Sequence, residues 1–317
     1  MLPVKRLAAG ICLWCICLSG FVLAQAPPTQ AQTQRQTQTQ SQPALPEMDI
    51  FLADFQQKDG KWIVGRPAKL TNRKGYDNQP FFLPDGKSMW FTSIREDDQA
   101  DIYRIELSNR QITRVTETSE SEFSPTIMPD GKHFSVVRVE ADKTQRLWKF
   151  PLAGGAPELI LETVKPVGYH CWIDANNLAL FILGPDDDHN FLWLAELRNK
   201  KSRNIANNPG RSIRISPGGG KISFVEKKSK TDWWIVEFDL KTDKTVPLIR
   251  TLPESEDFIW LSDSSILMSH GSKLYRWNRQ EGSEWKEIAD LSSSGLRKIT
   301  RIALSPDAQH IAIVAEP

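Results

Sequence analysis

Short apolar clusters of strand length alternate with polar turn residues from about residue 48 onward, and the alternation has a long period. The run Pro84-Asp85-Gly86-Lys87 returns as Pro129-Asp130-Gly131-Lys132. The same register continues through Ile173-Asp174-Ala175-Asn176, Pro217-Gly218-Gly219-Gly220-Lys221, Ser262-Asp263-Ser264 and Pro306-Asp307-Ala308, in steps of 44 or 45 residues. A unit of that length holds four short strands, too few to bury both of its faces alone, and stacking such units round an axis makes a propeller. Six turns predict six blades.

The first unit shows the plan. Pro80 to Leu83 leads into the turn, where proline presets one backbone angle and Gly86 accepts a positive one. Ser88 to Thr92 leaves the turn as a second strand, Asp101 to Leu107 forms a third, and Gln111 to Val115 a fourth. A large side chain recurs inside the third strand: Tyr103, Trp148, Trp193, Val236 and Tyr275. Rings at one register bury much area between adjacent sheets, so their expected role is blade-to-blade packing.

The sixth unit supplies only two strands, Ile302 to Leu304 and Ile311 to Ala315. The missing pair is upstream, because Met48 to Phe55 matches Ala100 to Leu107 position by position and Gly65 to Thr71 reads as a further strand. The expectation is an all-β, six-bladed β-propeller in which the N-terminal strands circularly close the last blade. Closure leaves only short outer edges exposed.

The Pro-Asp-Gly-Lys turns, Asp101-Ile102-Tyr103 in strand three and Leu70-Thr71 in the closing segment together resemble the TolB-like six-bladed propellers, over residues 48 to 317. The chain before residue 48 has no room for the α/β domain that precedes the propeller in TolB itself. The resemblance implies a protein-interaction scaffold of the cell envelope, not an enzyme, with an envelope protein or cell-wall component as partner. The alternative is a propeller enzyme or small-ligand binder, lyase-like or lactonase-like, using the central channel.

Residues 1 to 24 have the three parts of a signal peptide: Lys5 and Arg6, an apolar stretch from Leu7, and small residues suited to cleavage after Ala24. This predicts a periplasmic or secreted protein, with the membrane reached only through an uncleaved signal. Residues 25 to 47 are mostly Gln, Thr, Pro and Ala and read as a disordered tether, so the propeller occupies 48 to 317. Cys12, Cys15 and Cys17 lie in the signal, which leaves Cys171 alone and no internal disulfide for the mature domain. The formal net charge of +1 offers nothing for nucleic acid.

No G-x-S-x-G elbow occurs, and the five histidines do not converge in sequence: His133 and His310 share one register, while His170 adjoins Cys171 on an inner strand, where neighbours face opposite sides. Asp186-Asp187-Asp188-His189 lacks the alternation and glycine of a calcium loop and reads as a hairpin tip. No catalytic residue, metal ligand or cofactor is assigned. Strand direction alternates within a blade, so the loops joining strands two to three and four to one share a face opposite the Pro-Asp-Gly-Lys turns. That face carries Glu96, Asp97, Asp98, Glu117, Glu120, Glu122, Glu254, Glu256 and Asp257 as the expected partner-binding residues.

Overall fold

The structure is a computed structural model and describes residues 45–95, 98–262 and 264–316. The signal and tether assignments lie outside these residues. Within them the chain forms six antiparallel sheets, arranged as the blades of a propeller. Blade 1 runs from its innermost strand Tyr76–Phe82 through Ser88–Ile94 and Ala100–Glu106 to the outer Ile112–Arg114. Blades 2 to 5 repeat this order, with innermost strands Ser121–Ile127, Val167–Trp172, Pro209–Ile215 and Phe258–Trp260.

Blade 6 is built from both ends of the propeller. Its inner strands Ile299–Leu304 and His310–Ala315 are joined by Asp49–Lys58, with Ile50 opposite Val314 and Ala53 opposite Ile311. The closing segment differs from the expected single strand. Two short pieces share the outer edge: Ala68–Lys69 pairs with Phe51 and Leu52, and Lys61–Val64 pairs with Phe55 to Lys58. The long Asp49–Lys58 strand outruns its inner neighbour, and its free end folds back as a hairpin that lays Trp62 on Phe55, ring centroids 4.8 Å apart.

The turns explain why the repeat persists where its letters change. Asp85 Oδ1 accepts the backbone N–H of Lys87 at 2.8 Å, Asp130 that of Lys132 at 2.8 Å, Asp174 that of Asn176 at 2.7 Å, and Asp307 that of Gln309 at 3.0 Å. The aspartate, more than the proline, is therefore the common device of these turns. Gly86 and Gly131 take positive φ as expected, and at the same place Ser264 (φ 60°) and Ala308 (φ 55°) hold left-handed backbone without glycine's freedom.

The core consists of six apolar clusters, each between two consecutive blades, so the ring is continuous. Of the recurring side chains, Tyr103, Trp148, Trp193 and Val236 sit within this packing. Tyr103 joins blade 1 to Ile50, Ala312 and Val314 of blade 6, while Trp148 packs where blade 1 meets blade 2. Each sits opposite the equivalent residue of strand two: Tyr103 faces Phe91, Trp148 faces Val136, Trp193 faces Leu180, Val236 faces Phe224 and Tyr275 faces Met268.

Candidate functional site: the axial channel and its mouth

Six innermost strands surround the axis, and in five of them the pairing register slips through a bulge. A bulge frees backbone groups from the ladder and re-aims side chains. Side chains from neighbouring blades meet the freed groups. Gln79 Oε1 of blade 1 accepts the Ser124 N–H of blade 2 at 2.7 Å, and Asp257 Oδ2 accepts the Ile302 N–H of blade 6 at 2.7 Å. Ser212 Oγ of blade 4 likewise donates to the Phe258 carbonyl of blade 5 at 3.2 Å.

These staples decide the fate of several predicted partner-binding residues. Asp257 is buried, holding Ile302 and facing Arg214 at 3.6 Å, so it ties blade 5 to its neighbours. Glu256 lies 3.5 Å from Arg211 and 2.9 Å from Lys227. Burial opposes its ionisation, but Arg211 and Lys227 outweigh burial and hold its carboxyl below the usual range. Glu122 is wholly buried, accepting from Arg138 Nε at 3.1 Å and from the Thr118 hydroxyl. Burial raises its pKa, with Thr118 and Arg138 partly offsetting the shift.

Glu122 and Asp257 are therefore buried and engaged inside the wall, while Glu256 is half-buried at the mouth and held there by Arg211 and Lys227. Glu117, Asp98 and Glu254 are exposed and Glu120 is half-buried, 3.9 Å from Arg138. Gln99 donates to the Thr118 and Glu120 carbonyls, which joins the loop bearing Asp98 to the loop bearing Glu117. Glu96 and Asp97 lie outside the described residues.

The channel holds a cavity of about 370 Å³ that touches every blade. It adjoins a wider cavity of about 720 Å³ at the mouth, on the face of the strand four-to-one loops, and the two share Tyr169, Arg211 and Arg301. Arg211, Glu256 and Arg301 stand one repeat of 45 residues apart, so blades 4, 5 and 6 set cation, anion and cation side by side at the mouth. Arg301 lies 5.5 Å from the Tyr169 ring centroid and donates Nε to Asn78 Oδ1 at 3.2 Å. Among the described residues no carboxylate lies within ion-pair distance of it. Tyr76, beside it, has its phenol pushed up to about 12 by burial.

Deeper in the channel, His170 Nε2 lies 2.7 Å from Ser135 Oγ, which also accepts Trp172 Nε1 at 2.8 Å. Burial lowers the His170 pKa to about 4 and raises the Cys171 thiol to about 11. His133 and His310 pair separately with Asp130 and Asp54, and His189 caps its exposed hairpin tip on Asp186 at 2.5 Å. Among the described residues no group of three or more His, Cys, Asp or Glu is gathered as metal ligands. The sequence reading passed over the channel arginines. The available signal was that Arg211 and Arg301 stand two repeats of 45 residues apart, with Glu256 midway between them.

These axial features match known propellers in architecture. A protein described as a TolB from Agrobacterium tumefaciens superposes with a TM-score of 0.65 at 15% identity, over 85% of this chain and 98% of that one. The chain has the fold of the TolB-like six-bladed propellers. An oligogalacturonate lyase in complex with manganese superposes at 0.53 and 16% identity, over 82% of this chain and 84% of that one. No protein-family model matches the chain. An uncharacterized protein of Agrobacterium fabrum is 28% identical over 78 residues, a match that spans about a quarter of each chain.

Proposed function

We propose that this chain is an exported TolB-like propeller that acts as a protein-interaction scaffold in the cell envelope, docking a partner on the loop face around the channel mouth. The observation that carries this reading is the mouth cavity of about 720 Å³, rimmed by the loop residues Pro253 to Asp257 and by Lys298 to Arg301. A concave surface on a rigid disc offers a partner a preformed seat, and loops on such scaffolds are the usual place for recognition. The signal-like segment at residues 1 to 24 supports export, and the Gln- and Pro-rich segment after it supports tethering.

The exposed carboxylates Asp98, Glu117 and Glu254 give the rim a field that speeds encounter with a basic partner surface. Glu122, Glu256 and Asp257 contribute to the rim by holding its wall in place. The test is capture of partners from envelope extracts by wild-type protein and by the triple variant Asp98→Lys, Glu117→Lys, Glu254→Lys. Slower, more salt-dependent capture by the variant is expected, with unchanged capture by Lys87→Glu, Lys132→Glu on the opposite face. Equal loss from both variants would remove the loop face from the proposal.

A further inference from the structure

We propose that the axial channel is a binding site for a small organic acid with an apolar body, its carboxylate held by Arg301 and Arg211 and its body lying toward the apolar end of the channel. This rests on the channel alone and stands whether or not the loop face docks a protein.

Charge is the first ground. Three guanidiniums, Arg211, Arg214 and Arg301, line one cavity of about 370 Å³. The two carboxylates nearest them are already committed: Glu256 to Arg211 and Lys227, Asp257 to the Ile302 N–H with Arg214 beyond. Arg301 has an amide oxygen and a tyrosine ring as its direct neighbours, with the Asp257 charge acting on it from beyond ion-pair distance. A half-buried guanidinium with no carboxylate in direct contact favours an anion, and its planar fork matches a carboxylate.

Unpartnered polar atoms are the second ground. Ser124 Oγ and His170 Nδ1 are buried, have no hydrogen-bond partner, and belong to residues that line this same cavity from blades 2 and 3. Buried polar groups are ordinarily satisfied, and each of these can donate. His170 Nε2 is engaged by Ser135 Oγ at 2.7 Å, which leaves Nδ1 as the ring nitrogen open to a ligand, as a donor in the tautomer that carries its proton there. The cavity therefore presents donors to an acceptor-only head group.

The third ground is the change of character along the axis. Toward the Pro-Asp-Gly-Lys face the lining becomes Phe81, Ile215, Trp260 and Leu304, the ends of four innermost strands. Ile215 is 38% exposed, among the few large apolar side chains left open. A volume of this order is in the range of small-molecule pockets, which combine apolar walls with a few placed polar groups.

The experiment is calorimetric titration of the full propeller with 3-phenylpropionate and octanoate, which separate an aryl from an aliphatic body. Acetate supplies the head alone and 3-phenylpropan-1-ol the body alone. At least one of the two acids should bind, and at least tenfold more tightly than acetate or the alcohol. Arg301→Gln should weaken that acid at least tenfold. Because Arg301→Gln could disturb the mouth, Ile215→Asp provides a second reading at an exposed position: the added anion should weaken the acid at least fivefold. Equal binding of acid and alcohol, acid binding unchanged in both variants, or no binding of either acid at millimolar concentration would overturn the proposal. Loss of protein capture without loss of acid binding would bear on the docking reading only.

Discussion

His170 gives the propeller a pH dependence that can be worked out in advance. Its Nε2 hydrogen-bonds Ser135 Oγ at 2.7 Å, and Trp172 donates to that hydroxyl at 2.8 Å. Burial disfavours the charged ring, so the pKa falls from 6.5 to about 4. A depressed histidine pKa means that the unfolded chain takes up its proton first as pH falls. Stability from this group is therefore complete above pH 6.5, declines between 6.5 and 4, and then levels off. Linkage gives a loss of about 2 kcal/mol by pH 5 and about 3 kcal/mol by pH 4. His170→Gln keeps a polar group that can hydrogen-bond Ser135 and removes the titration. Urea unfolding at pH 7.5 and pH 5 measures the loss for each protein, and the carboxylates common to both cancel in the difference. The variant should lose about 2 kcal/mol less than wild type between the two pH values. An equal loss in both proteins would refute the reasoning.

Glu122→Lys should destabilise the fold by about 3–5 kcal/mol, because it leaves Arg138 buried beside a like charge, whereas Glu117→Lys at an exposed position should stay within about 0.5 kcal/mol of wild type. Thermal melts of the two variants side by side test the distinction. Ala308→Gly should raise stability by about 1 kcal/mol, since Ala308 holds φ 55° at the turn position where Gly86 and Gly131 stand in blades 1 and 2. An unchanged or lower urea midpoint would show that the turn carries no such strain.

The fold was legible because two independent periodicities agreed: the aspartate turn and the large side chain of strand three, which the structure puts opposite matching residues of strand two. Closure was legible from the match of Met48 to Phe55 with Ala100 to Leu107. Its split outer edge was not, because the length of Asp49–Lys58 beyond its neighbour becomes visible only once the pairing is known. The candidate site was harder for a different reason. Acidic residues that follow a loop in sequence look exposed, yet Asp77, Glu122 and Asp257 fall one or more repeats of 45 residues apart and all are buried at the start of innermost strands. Carboxylates recurring with the repeat were structural here. The bulges that create the need for them leave no mark in a pattern of apolar and polar letters.

The seam of blade 6 also governs the order of events when the ring is made. Met48 and Thr300 meet there across 252 positions of sequence, and the apolar clusters on both flanks of blade 6 draw residues from Asp49–Lys58 and from His310–Ala315. Blades 1 to 5 can each assemble from neighbouring strands, but the first strand of the propeller has only the short outer pieces Lys61–Val64 and Ala68–Lys69 to pair with, and its inner edge from Asp49 to Asp54 stays open until His310–Ala315 arrives. Contacts of such high sequence separation form late, after the entropy of closing the intervening chain has been met. The seam thus works as a clock: until synthesis has passed His310–Ala315 the chain remains an open arc, pliant enough to be threaded or handed on, and amide protection of Asp49–Lys58 should be the last to appear in pulse-labelled refolding.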